Sequence, residues 1–88
     1  MDPFEWDERK SERNCQLRGF GFELVHEFDF TAALVVADLR KDYGEARYRA
    51  IGRIEGMPYM VVFTPRERRL RIISMRRMHE KEAARYGI

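Results

Sequence analysis

Between Ala46 and Met75 the chain reads as three strand-length segments joined by two tight turn signals, and this pattern restricts the fold more than any other feature. "ARYRAIGRI" (Ala46 to Ile54) alternates with period two, setting Arg47, Arg49, Ile51 and Arg53 on one side and Tyr48, Ala50, Gly52 and Ile54 on the other. Glu55-Gly56 is a hairpin turn into "MPYMVVFT" (Met57 to Thr64), where Pro58 is tolerated near the strand start. "PRER" (Pro65 to Arg68) makes a second turn into a strand from Arg69 to Met75 or Arg76. Connections this short join only antiparallel neighbours, so a meander is expected.

A fourth strand is expected upstream. "TAALVVADL" (Thr31 to Leu39) is β-branched and nearly continuous in its apolar part, the pattern of a strand buried on both faces. Ahead of it, Asp7 can cap a helix running to about Arg18, where Gly19 stops it, with Trp6 as a packing anchor before the cap. Leu24, Val25 and Phe28 recur at helical spacing and predict a second short helix over Phe22 to Phe28. A last helix is expected from about Arg77 to Tyr86. The expected fold is one α+β domain spanning residues 1–88: two N-terminal helices, a four-stranded, mainly antiparallel sheet and a C-terminal helix.

A chain with 44% hydrophobic and 36% charged residues has enough apolar content to fold while carrying a heavily charged surface. No apolar run approaches a membrane span and "MDPFEWDE" lacks a signal-peptide pattern, so a cytoplasmic protein is expected. Cys15 is the single cysteine; it cannot form an internal disulfide and is expected to be a small buried residue. Charge is unevenly distributed: residues 1–38 hold nine acidic and four basic residues, whereas residues 39–88 hold six acidic and thirteen basic. That asymmetry suits either a surface that meets phosphates or two halves that neutralise each other on folding.

Two stretches hold the candidate chemistry. In "RLRIISMRR" (Arg69 to Arg77), strict period two puts Leu70, Ile72, Ser74 and Arg76 on one face and Arg69, Arg71, Ile73 and Met75 on the other, so both faces carry arginine. Such arginines bind an anion or pair with the acidic N-terminal half. "DLRKDYGEARYR" (Asp38 to Arg49) gathers Arg40, Lys41, Asp42, Tyr43, Glu45, Arg47 and Arg49. Carboxylate, phenol and guanidinium in one loop can perform acid-base chemistry on a phosphodiester, or can be a solvated hairpin loop. His79, beside the arginines, is either an acid-base group or a solvated residue on the last helix. No metal site or cofactor is indicated: His26 and His79 are far apart, no CxxC or HxxxH spacing occurs, and Gly19 and Gly21 lack the rest of a phosphate-binding glycine motif.

Four stretches in register, "FEWDERK", "DLRKDYGEARYRAIGR", "VVFT" and "RIISMRRMHEKEAARY", resemble the BrnT family of bacterial toxins, with the likeness running from Phe4 to Tyr86. The resemblance implies a RelE-like fold and metal-independent RNA cleavage that arrests translation. It also implies neutralisation by a BrnA-like antitoxin with a ribbon-helix-helix DNA-binding domain, in a 2:2 complex that reaches operator DNA only through the antitoxin. Family positions fall on Trp6, Asp7 and Lys10, on Asp38, Arg40, Tyr43, Gly44, Glu45 and Arg47, and on Arg71, Ser74, Arg76, Arg77, Glu82 and Tyr86. The chain departs from the pattern at Met75 and Met78, where many members carry alanine. On this reading Glu45 is the base that activates the RNA 2′-OH, Arg47, Arg71 and Arg76 bind the phosphate, and Tyr43 or His79 protonates the leaving oxygen. Lys10, Arg40, Lys41, Arg49, Arg69 and Arg77 are then further RNA contacts. The alternative is a module of the same fold that binds RNA or the antitoxin without cleaving anything.

Overall fold

A computed structural model describes all 88 residues. In chain order the elements are β1 (Phe4–Trp6), α1 (Glu8–Arg18), a 3-10 helix (Phe22–Glu27), β2 (Leu34–Ala37), β3 (Tyr48–Ile54), β4 (Met57–Arg66), β5 (Arg69–Arg77) and α2 (Glu80–Arg85). The strands form one five-stranded mixed sheet in the order β1-β5-β4-β3-β2. The β2 to β5 meander is antiparallel as expected, but the sheet gains a fifth strand: β1 pairs in parallel with β5, Phe4 opposite Leu70 and Trp6 opposite Ile72. Trp6 is therefore a strand residue, half-buried against the core, ahead of the Asp7 cap.

The tight turns behave as their residues dictate. Glu55 and Gly56 both have positive φ, 48° and 81°, the geometry of the two-residue turn whose twist matches paired strands. Asp7 accepts the Arg9 amide at 2.9 Å and opens α1, which ends at Gly19. The second expected helix is present as a 3-10 segment, and the last starts at Glu80 because β5 continues through Arg77, which pairs with Tyr59. β2 is shorter than the expected Thr31–Leu39 strand and lies at the sheet edge, largely exposed; its apolar run does not reflect burial on both faces. Cys15 is exposed as well, since α1 docks through Ser11 and Asn14. Ser11 Oγ accepts the Phe22 amide at 2.8 Å and Asn14 donates to the Phe20 carbonyl at 3.0 Å, so polar contacts hold this helix in place.

The larger core lies between the sheet and the 3-10 helix with its flanking loops, where Phe22, Val25 and Phe28 pack on Ala50, Val61, Phe63, Ile72 and Met75. A smaller cluster on the opposite face, Ile51, Met60, Val62 and Met78, packs against Tyr86 and Ile88 of the C-terminal segment. Helical segments thus cover both faces of the sheet. No helix is long and apolar enough to cross a membrane.

The strict period-two reading of β5 fails at one residue. Val62 pairs with Ser74 but Phe63 pairs with Ile72, so Ile73 is an extra residue in a β-bulge. The bulge resets the alternation. Leu70, Ile72 and Met75 enter the large core, while Arg71, level with Thr64, Ser74, level with Val62, and Arg76, level with Met60, share the opposite face. Arginines that strict alternation divides between two faces are brought to one.

Candidate functional site

The face carrying Arg71 and Arg76 also carries Arg49 and Arg53 of β3, by the same alternation that buries Ala50 and Ile54. Partners separate these cations. Arg76 donates through both terminal nitrogens to Glu82, at 3.0 and 2.6 Å, and this pairing holds the Glu82 carboxyl below its usual range. Arg71 donates to Glu5 at 2.9 Å, Arg69 to the Asp2 carbonyl at 3.0 Å, and Arg53 to Glu80 at 2.9 Å. Arg77 is exposed near the Met57 sulfur. The arginines around β5 are, in large part, answered by the acidic N-terminal segment and by α2.

Arg47 and Arg49 differ. Their Nε atoms are buried and without a hydrogen-bond partner, and no carboxylate pairs with either guanidinium. Arg49 donates only to the Tyr86 hydroxyl, at 3.2 Å, and Arg47 lies over the Tyr43 ring, 4.0 Å from its centroid. Beside them, Asp38 is buried at the end of β2. It accepts the Arg40 amide and, at 2.7 and 2.8 Å, the Arg40 side chain. Those bonds push its carboxyl down to about 2, so it is ionised at any physiological pH. Arg40 in turn neighbours Arg76 and Tyr43.

The loop between β2 and β3 is anchored at both ends. The Asp38 amide donates to the Arg47 carbonyl at 2.8 Å, extending the β2–β3 ladder, and Thr64 Oγ1 donates to the Ala46 carbonyl at 2.6 Å. Lys41, Tyr43, Glu45 and Arg47 line one open cavity of about 470 Å³ there. Glu45 is held loosely, 3.6 Å from Arg66. Of the residues expected to act, Glu45, Tyr43, Arg47, Arg49, Arg40 and Lys41 are gathered at this end of β3. Arg76 reaches the same face from β5, whereas Arg71 and Arg69 belong to the β1 side. Lys10 sits on α1 with Arg13 and Arg18, around a hollow bordered by Ser74. His79 is exposed at the N-cap of α2, next to Met78, whose amide donates to the Pro58 carbonyl at 2.9 Å. Pro58 pairs with Arg53, so His79 is at the other end of β3 from Arg47, roughly 20 Å along the strand.

Reading residue types alone assigned no role to Asp38, Glu82 or Tyr86, although each touches a site arginine. For Asp38 a signal existed: a carboxylate closing an uncharged strand has to be either solvated or paired.

Fold and site together define a small α+β protein that keeps two half-buried arginines, each with a buried, unbonded Nε and no carboxylate partner, beside an ordered loop. The family is settled by comparison. The model described as "Ribonuclease toxin, BrnT, of type II toxin-antitoxin system" matches residues 6–82, and the chain belongs to that family. No curated protein matches it.

Proposed function

We propose that this ribonuclease toxin cleaves RNA without a metal ion, by attack of the 2′-OH on the adjacent phosphate, at the site formed by Glu45, Arg47, Arg49 and Tyr43. The observation that carries this reading is that Arg47 and Arg49, alone among the arginines of this face, have no carboxylate partner, one resting on the Tyr43 ring and the other on the Tyr86 hydroxyl, which leaves their guanidinium groups to bind a phosphate. Asp38 and Glu82 are poor bases, because arginine pairing holds both carboxyls low. Glu45 is bound only at 3.6 Å and is the group left to take the 2′-OH proton. As the 2′-oxygen bonds to phosphorus, Arg47 and Arg49 stabilise the added negative charge. Tyr43, stacked on Arg47, donates its hydroxyl proton to the departing 5′-oxygen. The products are a 2′,3′-cyclic phosphate and a 5′-hydroxyl. Arg40 and Arg76, neutralised by Asp38 and Glu82, hold the loop and the last helix in place around the site, and His79 takes no part.

The toxin works in the cytoplasm and arrests translation. Its antitoxin is a BrnA-like ribbon-helix-helix protein that covers the cationic face in a 2:2 complex and carries that complex to operator DNA.

The test is incubation of the purified chain with a short end-labelled RNA in EDTA, alongside Arg47→Ala and Arg49→Ala proteins. Cyclic-phosphate ends and a loss of about 10²–10³ in rate per arginine are expected. RNA retained in a salt-dependent manner but left intact would replace this proposal with a binding module.

A further inference from the structure

One side of α1 is cationic and unneutralised. Lys10, Arg13, Asn14 and Leu17 recur at helical spacing and, with Arg18, border a hollow between the helix and Ile73 and Ser74 of β5. Glu8 and Glu12 fall on the other side, around a hollow with Ser11, Cys15 and Glu23. A solvated helix gains support when acids and bases alternate four residues apart. Here Glu8 precedes Glu12 and Arg9 precedes Arg13, like charge on like, and no side chain of α1 is in an ion pair. Asp7, the cap of the helix, acts on Lys10, which leaves Arg13 and Arg18 as the free cations of the hollow. Arg18 also suits the carbonyl end of the helix, whereas Arg13, in mid-helix, has no such local reason.

The sheet register leads from the phosphate site to this helix. Arg49 of β3 pairs with Val62 of β4, and Val62 with Ser74 of β5, so the three form one row across the arginine face. Two strand spacings, roughly 10 Å, separate Arg49 from Ser74. Half-buried Ser74 ends that row and borders the α1 hollow. The neighbouring rows lead nowhere comparable. The row of Ile51, Met60 and Arg76 is closed over by Tyr86 and Ile88, and Arg76 is held by Glu82. On the other side, the row through Thr64 ends at Arg71, which Glu5 neutralises.

We infer that α1 is a second RNA-binding element: a single strand whose scissile phosphate sits on Arg47 and Arg49 crosses the sheet along the row of Arg49, Val62 and Ser74 and sets a further phosphate against Arg13 and Arg18. The inference rests on the reading of Arg47 and Arg49 as the phosphate site. Continuity with that site favours RNA over an acidic protein segment, because one strand carries the same anionic group at every nucleotide. Leu17, 81% exposed amid these cations, offers an apolar surface to a base of the same strand. A dinucleotide, with its single phosphate, cannot occupy both places, whereas a longer strand can.

Binding and cleavage are measured in parallel. Fluorescence anisotropy of a labelled, fully 2′-O-methylated RNA of roughly ten nucleotides, which lacks the nucleophile, is followed across salt concentration for the wild type and an Arg13→Ala, Arg18→Ala protein. Both side chains are exposed, so an unchanged circular dichroism spectrum is expected. The double variant is expected to bind about tenfold more weakly and to lower the salt slope by about 1.4, the loss of two single-strand phosphate contacts. Arg9→Ala, on the same helix but outside the hollow, is expected to stay within about twofold of the wild type. In cleavage of unmodified RNA, the wild-type KM is expected to fall on going from a dinucleotide to the longer strand, and the double variant to lose that gain while kcat holds. Unaltered binding by the double variant, or an equal loss in Arg9→Ala, overturns the inference. Normal RNA binding with a lost hold on the antitoxin assigns the helix to the antitoxin and equally overturns it. A wild type that binds RNA through these arginines without cleaving it keeps the inference and removes the catalytic proposal; cleavage of long RNA indifferent to Arg13 and Arg18 does the reverse.

Discussion

Replacing Asp38 by asparagine should remove most of what the β2–β3 loop draws from its one buried carboxylate. The Asp38 side chain has no exposed surface, while that of its partner Arg40 is 53% exposed. With the carboxyl lowered from 3.8 to about 2, linkage sets an upper value of about 2.5 kcal/mol, at about 1.4 kcal/mol per pH unit. Solvent around Arg40 screens the pair and reduces this to about 1–2 kcal/mol. Because the folded-state value is depressed, the stabilisation is complete above the unfolded carboxyl's range and is lost as pH falls from about 4 to about 2. Urea denaturation of both proteins between pH 2 and 7 should therefore show a gap that is widest at neutral pH and nearly closed at pH 2. The corresponding drop in Tm is about 4–8 °C per kcal/mol for a domain of this size. Equal stability at pH 7, or a gap independent of pH, would refute the claim that an ionised, arginine-bound Asp38 holds this loop.

Tyr86→Phe removes the hydroxyl that receives Arg49, so RNA cleavage should fall about tenfold while Tm changes by little; a full-rate variant would show that Arg49 needs no such support. Gly52→Ala places a methyl 2.9 Å from the Phe28 ring and 3.1 Å from Ala33, and should cost about 1–3 kcal/mol in chemical denaturation. Pairing it with Phe28→Leu should recover part of that loss. His26 bonds the Asp2 carboxylate and the Glu23 carbonyl, which raise its pKa, with the carbonyl the larger effect. The support it gives the N-terminal strand is full in acid and fades as pH rises through that raised value. Exchange of the Leu70 amide, which donates to the Pro3 carbonyl, should accelerate with pH in the wild type and lose that added dependence in His26→Ala.

Local chemistry made much of the fold legible. The Glu55-Gly56 turn, the Asp7 cap, the Gly19 stop and the alternation of β3 all depend on residues a few positions apart, and each stands where the sequence places it. What was not legible depends on distant partners. Nothing within "FEW" marks a strand, since its parallel pairing needs β5, more than sixty residues away. β2 looked interior because edge and central strands share the same apolar residues, and only the sheet order separates them.

The candidate site divides the same way. Residue types alone nominated Glu45, Tyr43, Arg47 and the arginines of β5, because few other groups handle a phosphate near neutral pH. They could not tell a neutralised arginine from a free one. Arg71 and Arg76 read like Arg47 and Arg49 until Glu5 and Glu82 are brought in from β1 and α2. The meander and its turns follow from backbone preference and side-chain alternation, and the cationic excess of residues 39–88 from the residues themselves. Which face β5 turns toward the site, through the bulge at Ile73, and which two arginines keep no carboxylate partner emerge once the chain is folded. Register and ion pairing are settled by contacts between residues far apart in the chain, which no local pattern encodes.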